Sequence, residues 1–363
     1  MEMRIAILVP NLTENAPYLS CYTDVFQANN ISYDIVCWDR NKRLSNTESL
    51  SENLFIFDKA GLESNGPVRK IFDYIRFIKF VKTRLNCANY DLVITANIAL
   101  AFFLCRTLII KYKRKYILDI RDYSIICKIF PRVILILIKH AALNVVSSIG
   151  YLNWLPKEQN YTISHNVRKI SLTSNLFQYE MKDEFLFNKP IEILTIGQIR
   201  DFDSNSLLID KLGRLSTFKL KFCGEGLDSL RLQSYAKKYS TNCLFTGVYK
   251  KIEEENLVVN CDFLNIILPE KKEVMTQMTN RFYLGLIYGK PIIVNSKSIQ
   301  SEFVRKYKLG LVINFDDDFE KSIIRYIEEF DQEQFNLGIK NLMAIVNAEI
   351  DFFEQNVLNI LKK

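Results

Sequence analysis

Two hydrophobic rhythms alternate along this chain. Short, nearly continuous apolar runs occupy residues 4–9, 32–38, 91–95, 116–120 and 142–147. They are too short for helices and rich in Ile, Val and Leu, so they predict strands buried on both faces. Between them, at 17–29, 68–87, 97–112 and 123–140, apolar residues recur every three or four positions, the spacing of one helical face. The second half repeats the plan, with strands expected at 191–196, 218–223, 243–246, 263–268, 291–295 and 311–313 and helical stretches between them. Alternation of this kind predicts the α/β class: parallel sheets covered by helices on both faces.

With 363 residues, 48% of them hydrophobic, the chain is too long for one ordinary core and suits two domains. A Rossmann-like domain is expected over 1–166. Residues 167–190 lack a strong period and end in Asn188-Lys189-Pro190, which predicts a linker. A second Rossmann-like domain is expected over 191–340, the two facing each other across a cleft, and 341–363 read as a C-terminal helix crossing back to the first domain. Residues 92–110 have the length of a bilayer span and a single charge, Arg106. Thr95-Ala96-Asn97 breaks that run into a strand and a helix, so a soluble reading is preferred. The opening apolar run, 5–9, is shorter than a signal peptide needs and predicts a buried strand. The eight cysteines are scattered among apolar neighbours without a C-x-x-C pair, and predict buried, reduced thiols in a cytoplasmic protein.

Charge changes the picture only in the first half. Residues 1–165 carry 21 basic and 14 acidic side chains, whereas 166–363 carry 27 of each. Within the first half, 69–139 hold 15 basic and 4 acidic residues, which points to an anionic partner such as a membrane surface or a lipid diphosphate. No nucleic-acid-binding motif accompanies the excess, so nucleic acid is not expected. Residues 69–82 mix basic, aliphatic and aromatic side chains at helical spacing, as an interfacial helix would, and predict peripheral attachment at the inner face of the cell membrane.

Ligands of doubly wound sheets bind beyond the carboxyl ends of the strands, so candidate chemistry is sought in the turns that follow them. After the strand at 191–196 comes Gly197-Gln198-Ile199-Arg200-Asp201. Glycine allows close backbone approach and arginine a forked contact to phosphate, although a turn glycine followed by a solvated arginine reads equally well. Gly224-Glu225-Gly226 follows the next strand, with room for a diphosphate or base, or with glycines that serve only the turn. Thr279 and Asn280 cap a helix that brings Arg281 to its positive end, a place suited to phosphate. In the first half Asp119, Arg121 and Asp122 form either an ion-paired turn or a polar cluster facing acceptor hydroxyls. His165 ends a short strand near the domain junction, whereas His140 reads as a helix-end histidine.

The order of these pieces resembles bacterial GT-B glycosyltransferases of polysaccharide assembly, of the family 4-like or galactofuranosyl- and glucosyltransferase-like kind. The resemblance spans nearly the whole chain. Its most specific part is Asn280-Arg281 through Gly289-Lys290-Pro291 to Val294, continued by Ser301-Glu302-Phe303-Val304 and Leu309-Gly310-Leu311-Val312. It implies a GT-B fold and transfer of a sugar from a nucleotide-sugar donor, a UDP-sugar, to a lipid-linked glycan acceptor of capsule or O-antigen assembly. Arg200, Arg281, Thr279 and Asn280 are then implied near the diphosphate, with Gly197 beside them and Gly224, Glu225 and Gly226 near the nucleotide. Asp119, Arg121 and Asp122 are implied on the acceptor side, with His165 behind them. No metal and no cofactor beyond the donor itself are implied. The chain departs from the pattern at Leu284, where many relatives carry the glutamate that holds the ribose, and at Pro10 to Asn15, which replace a glycine-rich loop. Leucine cannot accept the ribose hydroxyls. That loss leaves a non-catalytic GT-B subunit as an alternative, and a sugar-nucleotide epimerase of the same fold as another.

Overall fold

The structure, a computed structural model, describes residues 3–12, 17–40, 53–61, 67–157, 159–169, 190–239 and 242–362. Most of the expected linker, 170–189, and part of the Pro10 to Asn15 loop lie outside the described residues. The chain divides into two units, Met1–Arg168 with Ala348–Lys363 and Lys169–Asn347.

The first unit is built on seven parallel strands, β1 (Arg4–Val9), β2 (Ser32–Trp38), β3 (Leu54–Phe57), β4 (Leu92–Thr95), β5 (Tyr116–Ile120), β6 (Leu143–Val146) and β7 (Thr162–Ile163). They lie in the order β3-β2-β1-β4-β5-β6-β7. Side chains alternate between two cores, as a pleated strand requires. Ala6 and Leu8 join Phe77, Val81, Leu85 and Leu104 on one face. Ile5, Ile7 and Val9 join Tyr22, Phe26, Phe353 and Val357 on the other. β3 was not among the expected strands. Its four residues are all half-buried and show no alternation; pairing with β2 and ring contacts of Phe57 with Trp38 and Phe77 fix it at the edge.

Two expected helices are each split. Residues 97–112 become Ile98–Phe103, capped by Asn97 accepting from Leu100 N at 3.0 Å, and Cys105–Lys111, with a break at Leu104. Residues 123–140 become Ile125–Ile129 and Pro131–His140. Pro131 has no N–H to continue the first helix, and its fixed φ suits the first position of the second. Strand and short helices thus replace the single apolar span suggested by 92–110. Among the described residues no helix is long and apolar enough to cross a membrane. The expectation of buried thiols is corrected in part: Cys37, Cys223 and Cys261 are buried, but Cys87, closing the helix Pro67–Cys87, is exposed, and the other four are half-buried.

The second unit holds six parallel strands, β8 (Ile191–Ile196), β9 (Phe218–Cys223), β10 (Cys243–Gly247), β11 (Phe263–Ile266), β12 (Ile292–Asn295) and β13 (Gly310–Ile313), in the order β10-β9-β8-β11-β12-β13. Helices Phe202–Leu212, Ser229–Tyr239 and Phe319–Glu328 pack on the sheet through Leu208, Leu212, Leu232, Phe319 and Ile323. The last helix, Gln332–Leu361, starts well before residue 341. Its residues to Asn347 belong to the second unit and those from Ala348 to the first. Within the first unit Glu349 pairs with His165, Phe353 meets Tyr22 edge-on at 5.1 Å, and Asn356 donates to Thr162 Oγ1 at 3.3 Å.

Gly338 allows this helix to lie against the Tyr307 carbonyl, because a Cβ there would fall 1.7 Å from that oxygen. Gly338→Ala should therefore push the backbones apart and cost about 1–3 kcal/mol, read as a lowered urea midpoint at unchanged slope. An unaltered midpoint would show that the contact yields freely.

Candidate functional site

Neighbouring strands in a doubly wound sheet diverge at one place, and ligands bind beyond their carboxyl ends there. In the second unit that place lies between β8 and β11, since β9 and β10 lie on one side and β12 and β13 on the other. Two asparagines shape the strand ends. Asn265, fully buried in β11, donates to Thr195 Oγ1 at 2.8 Å and accepts from Ile267 N at 3.0 Å. Asn295, ending β12, accepts from Leu268 N at 3.3 Å and donates to Leu268 O at 3.2 Å. Neither was singled out from the sequence. The available signal was an amide set within otherwise apolar strands, since a buried amide needs partners.

Arg281 spans the same point. It is the second residue of the helix Asn280–Ile287, which approaches β12 closely at Gly285, where a Cβ would fall 2.5 Å from Ile292 Cγ2. Its Nε donates to Ile196 O at 2.6 Å, one terminal nitrogen to Gln198 O at 3.0 Å and the other to Asn265 O at 3.4 Å. All three acceptors are main-chain carbonyls. Burial pushes the guanidinium down to about 10, opposed by the more distant charge of Asp201 and by Tyr249. It stays a cation at neutral pH, and among the described residues three of its five N–H groups find acceptors.

Gly197 takes a left-handed φ of +94°, and a Cβ there would meet nothing within 4 Å among the described residues, which leaves space past β8. Gly224 and Gly226 behave differently. A Cβ on Gly224 would fall 1.9 Å from Gly197 O, and one on Gly226 would fall 2.2 Å from Ile199 O. Hydrogen bonds from Gly197 N to Cys223 O and from Ile199 N to Glu225 O hold the turns together. On the Cβ side of both glycines neighbouring backbone fills the space, so each serves the turn's own geometry, the second of the two readings the sequence left open.

Arg200 and Glu225 are exposed on the two turns. Asp201, in a left-handed conformation, has its carboxyl pKa pushed up by burial, against the pull of Lys271, Arg200 and Arg281. Thr279 caps its helix, accepting from Phe282 N at 3.4 Å and donating to Gln300 Oε1 at 2.9 Å, so its hydroxyl is engaged within the protein; Asn280 is exposed. Leu284 lies half-buried one turn beyond Arg281.

In the first unit the structure joins Asp119 and Arg121. Asp119 is fully buried, 2.7 Å from Arg121 Nε, accepts from a terminal Arg121 nitrogen at 2.8 Å, and accepts from Tyr22 Oη at 2.9 Å. Arg121 also donates to Ser164 O, Ser164 Oγ and Asn166 Oδ1 at 2.9–3.0 Å. Burial lowers the Arg121 pKa, but Asp119 outweighs it and the net direction is up. Of the two readings left open by the sequence, the ion-paired turn describes Asp119 and Arg121; a carboxylate with no exposed surface does not face a substrate. Asp122 beside them is exposed. His165 is buried, with Nε2 2.6 Å from Glu349 Oε2, and its carbonyl accepts from Cys21 Sγ at 3.4 Å, so it ties the last helix to β7 and the helix Ser20–Ala28.

No family model matches the chain, nor does any curated protein sequence. Solved structures do. HepE of Anabaena in complex with UDP superposes with a TM-score of 0.68 at 15% identity, over 99% of this chain and 100% of that one. HepE structures also hold UDP with glucose or UDP-glucose. The lipopolysaccharide outer core galactosyltransferase WaaB matches at 0.63 and 14% identity over 99% of both chains. UDP-N-acetylglucosamine 2-epimerase of Rickettsia bellii matches at 0.56 and 13% identity, over 99% of this chain and 100% of that one. The fold is thus α/β of the GT-B type, with two Rossmann-like units.

Removing the Asp119 carboxylate would strand Arg121 in the core. Asp119→Ala should cost about 3–5 kcal/mol of stability in chemical denaturation. A loss below about 1 kcal/mol, the scale of an exposed ion pair, would return the cluster to the surface-group reading.

Proposed function

We propose that the chain is a glycosyltransferase that takes a sugar from a UDP-sugar and places it on a lipid-linked glycan acceptor in cell-surface polysaccharide assembly. The observation that carries this reading is Arg281, a half-buried cation whose hydrogen bonds, among the described residues, all go to carbonyls at the switch point between β8 and β11. A guanidinium in that setting gains most from an anion, and a nucleoside diphosphate supplies one that accepts forked hydrogen bonds. Gly197 leaves open space beside it, and exposed Arg200 adds a second cation. Thr279 caps the Phe282 amide, and the amides of Asn280 and Arg281 ahead of it add to the positive end of the helix. That HepE binds UDP and UDP-glucose, and that WaaB is a galactosyltransferase, agree with this reading.

In the proposed reaction the bond from the anomeric carbon to the β-phosphate oxygen breaks, an acceptor hydroxyl oxygen takes its place, and the hydroxyl's proton passes to the Asp122 carboxylate and on to solvent. Negative charge grows on the departing diphosphate, where Arg281, Arg200 and the helix end lower its energy; these groups supply the stabilisation a metal would otherwise give. Glu225 takes the ribose contact that Leu284 cannot make. Asp122, exposed after β5, is the acceptor-side carboxylate, with Asp119, Arg121 and His165 holding its turn in place. A second reading, sugar-nucleotide epimerisation, draws on the Rickettsia bellii likeness.

Arg281→Ala should weaken UDP binding about ten- to hundredfold in titration calorimetry, the scale of a lost charged hydrogen bond, with the thermal transition checked alongside. Equal affinity would remove the site assignment. Purified protein screened against UDP-, dTDP- and GDP-sugars with lipid-linked acceptors should release UDP only when acceptor is present. Sugar interconversion without acceptor would favour the epimerase, and no nucleotide binding at all would favour a non-catalytic subunit.

A further inference from the structure

The turn after β8 carries a carboxylate as well as cations. Asp201 is half-buried and takes a left-handed backbone conformation, φ +63°, directly ahead of the helix Phe202–Leu212. An aspartate in that place ordinarily accepts from the amides of the helix's first turn. Here the side chain makes no such bond, and among the described residues it enters no hydrogen bond or ion pair. Its backbone is fixed all the same. Asn205, buried in the helix, donates through Nδ2 to Arg200 O at 2.6 Å and to Asp201 O at 3.0 Å, and its main-chain N–H meets Asp201 O at 3.3 Å. Arg200 and Asp201, of opposite charge, are thereby held side by side beyond the end of β8.

Cations reach this carboxylate from three elements. Arg200 adjoins it in the turn. Arg281 clasps the same turn from the helix Asn280–Ile287, donating to Ile196 O at 2.6 Å and to Gln198 O at 3.0 Å. Lys271 lies on the loop that leaves β11, the strand paired with β8. It is exposed, and its backbone is pinned by its own N–H donating to Pro269 O at 2.7 Å and by its carbonyl accepting from Val274 N and Met275 N, each at 2.9 Å. Burial pushes the Asp201 pKa up, and of the charges opposing that Lys271 weighs most, ahead of Arg200 and Arg281; Asp228 adds a like charge, itself 4.0 Å from Arg231. The left-handed backbone alone accounts for an aspartate or asparagine at this place. It does not account for a carboxylate that leaves the helix amides unused and stands among three cations.

We propose that Asp201 is the resident counter-charge of the donor site, sharing Lys271, Arg200 and Arg281 with the diphosphate and taking up a proton from solvent when the diphosphate binds, a role that rests on Arg281 binding the donor. Lys271 is then a third cation for the diphosphate. An anionic ligand brought to these cations adds like charge beside Asp201, so the carboxyl ionises less readily in the complex than in the empty site. Between the two pKa values the complex holds more protons than its separate parts. Donor affinity therefore rises as pH falls through that window and levels off below the lower value.

UDP-glucose is the probe, because its diphosphate is esterified at both ends and carries no proton that titrates near neutrality. Calorimetric titration in buffers of different ionisation enthalpy should show net proton uptake by the parent at mildly acid pH. Asp201→Asn should abolish it, since the amide keeps the shape and suits the left-handed backbone while removing the charge. At neutral pH Asp201→Asn should bind UDP-glucose roughly three- to tenfold more tightly, and Lys271→Met roughly three- to tenfold more weakly, the scale of one partly screened charge. The thermal transition of each variant shows that it is folded. Unchanged or weaker binding by Asp201→Asn, undiminished proton uptake in that variant, or unchanged binding by Lys271→Met would each overturn the proposal and leave the Arg281 assignment standing. A parent that binds no UDP-glucose would overturn both.

Discussion

A guanidinium taken out of bulk water must be answered by negative charge, and the two units answer that demand in opposite ways. Arg121 meets a carboxylate, two side-chain oxygens and a main-chain carbonyl, and its charge is neutralised within the fold. Arg281 meets only carbonyl dipoles, which orient it without cancelling it. Desolvation weighs on both, yet their pKa values move in opposite directions because only one has a carboxylate in contact. A buried ion pair is a structural solution. A half-buried cation held by dipoles is a prepared half of an interaction, stable enough to fold and open on one side to an anion.

That incompleteness is sustained by how tightly the strand ends are built. Gly224 and Gly226 let the turn after β9 lie directly on the backbone of Gly197 to Ile199, leaving the carbonyls of Ile196 and Gln198 aimed at Arg281. Asn265 locks β11 to β8 through Thr195 while its own carbonyl supplies the third acceptor. Backbone, amide and guanidinium therefore form one assembly, and a substrate would meet groups that need little rearrangement, the condition for electrostatic stabilisation of a leaving group.

The alternation of apolar runs carried the two-sheet plan, and proline at 131 marked a helix start that the apolar period alone had run through. β3 escaped because its stability comes from β2 and from Trp38 and Phe77, contacts between residues far apart in sequence. At the candidate site, Arg281 could be read from its place at a helix start after a capping threonine. The meaning of Gly224 and Gly226 could not, since a glycine that admits a ligand and one that admits a neighbouring backbone look identical along the chain. Asp119 and Arg121 posed the same problem: adjacency in sequence gave the pair, but only Tyr22 and Ser164, 97 and 43 residues distant from their partners, reveal that it is buried.

Charge distribution separates two kinds of recognition. The second half of the sequence is balanced, with 27 basic and 27 acidic residues, so an anion drawn to Arg281 is drawn by local geometry and not by a general field. The first half carries its excess on exposed side chains, many of them along 69–139, and acts through water and ions. Screening shortens the reach of exposed charges to about 8 Å at physiological ionic strength and affects partly buried ones much less. Rising salt should thus weaken attraction of anions to the first unit's exposed charges well before it disturbs an anion at β8 and β11. Attraction by the first unit and anion recognition by the second are then separately adjustable, because one depends on many screened charges and the other on a single half-buried one.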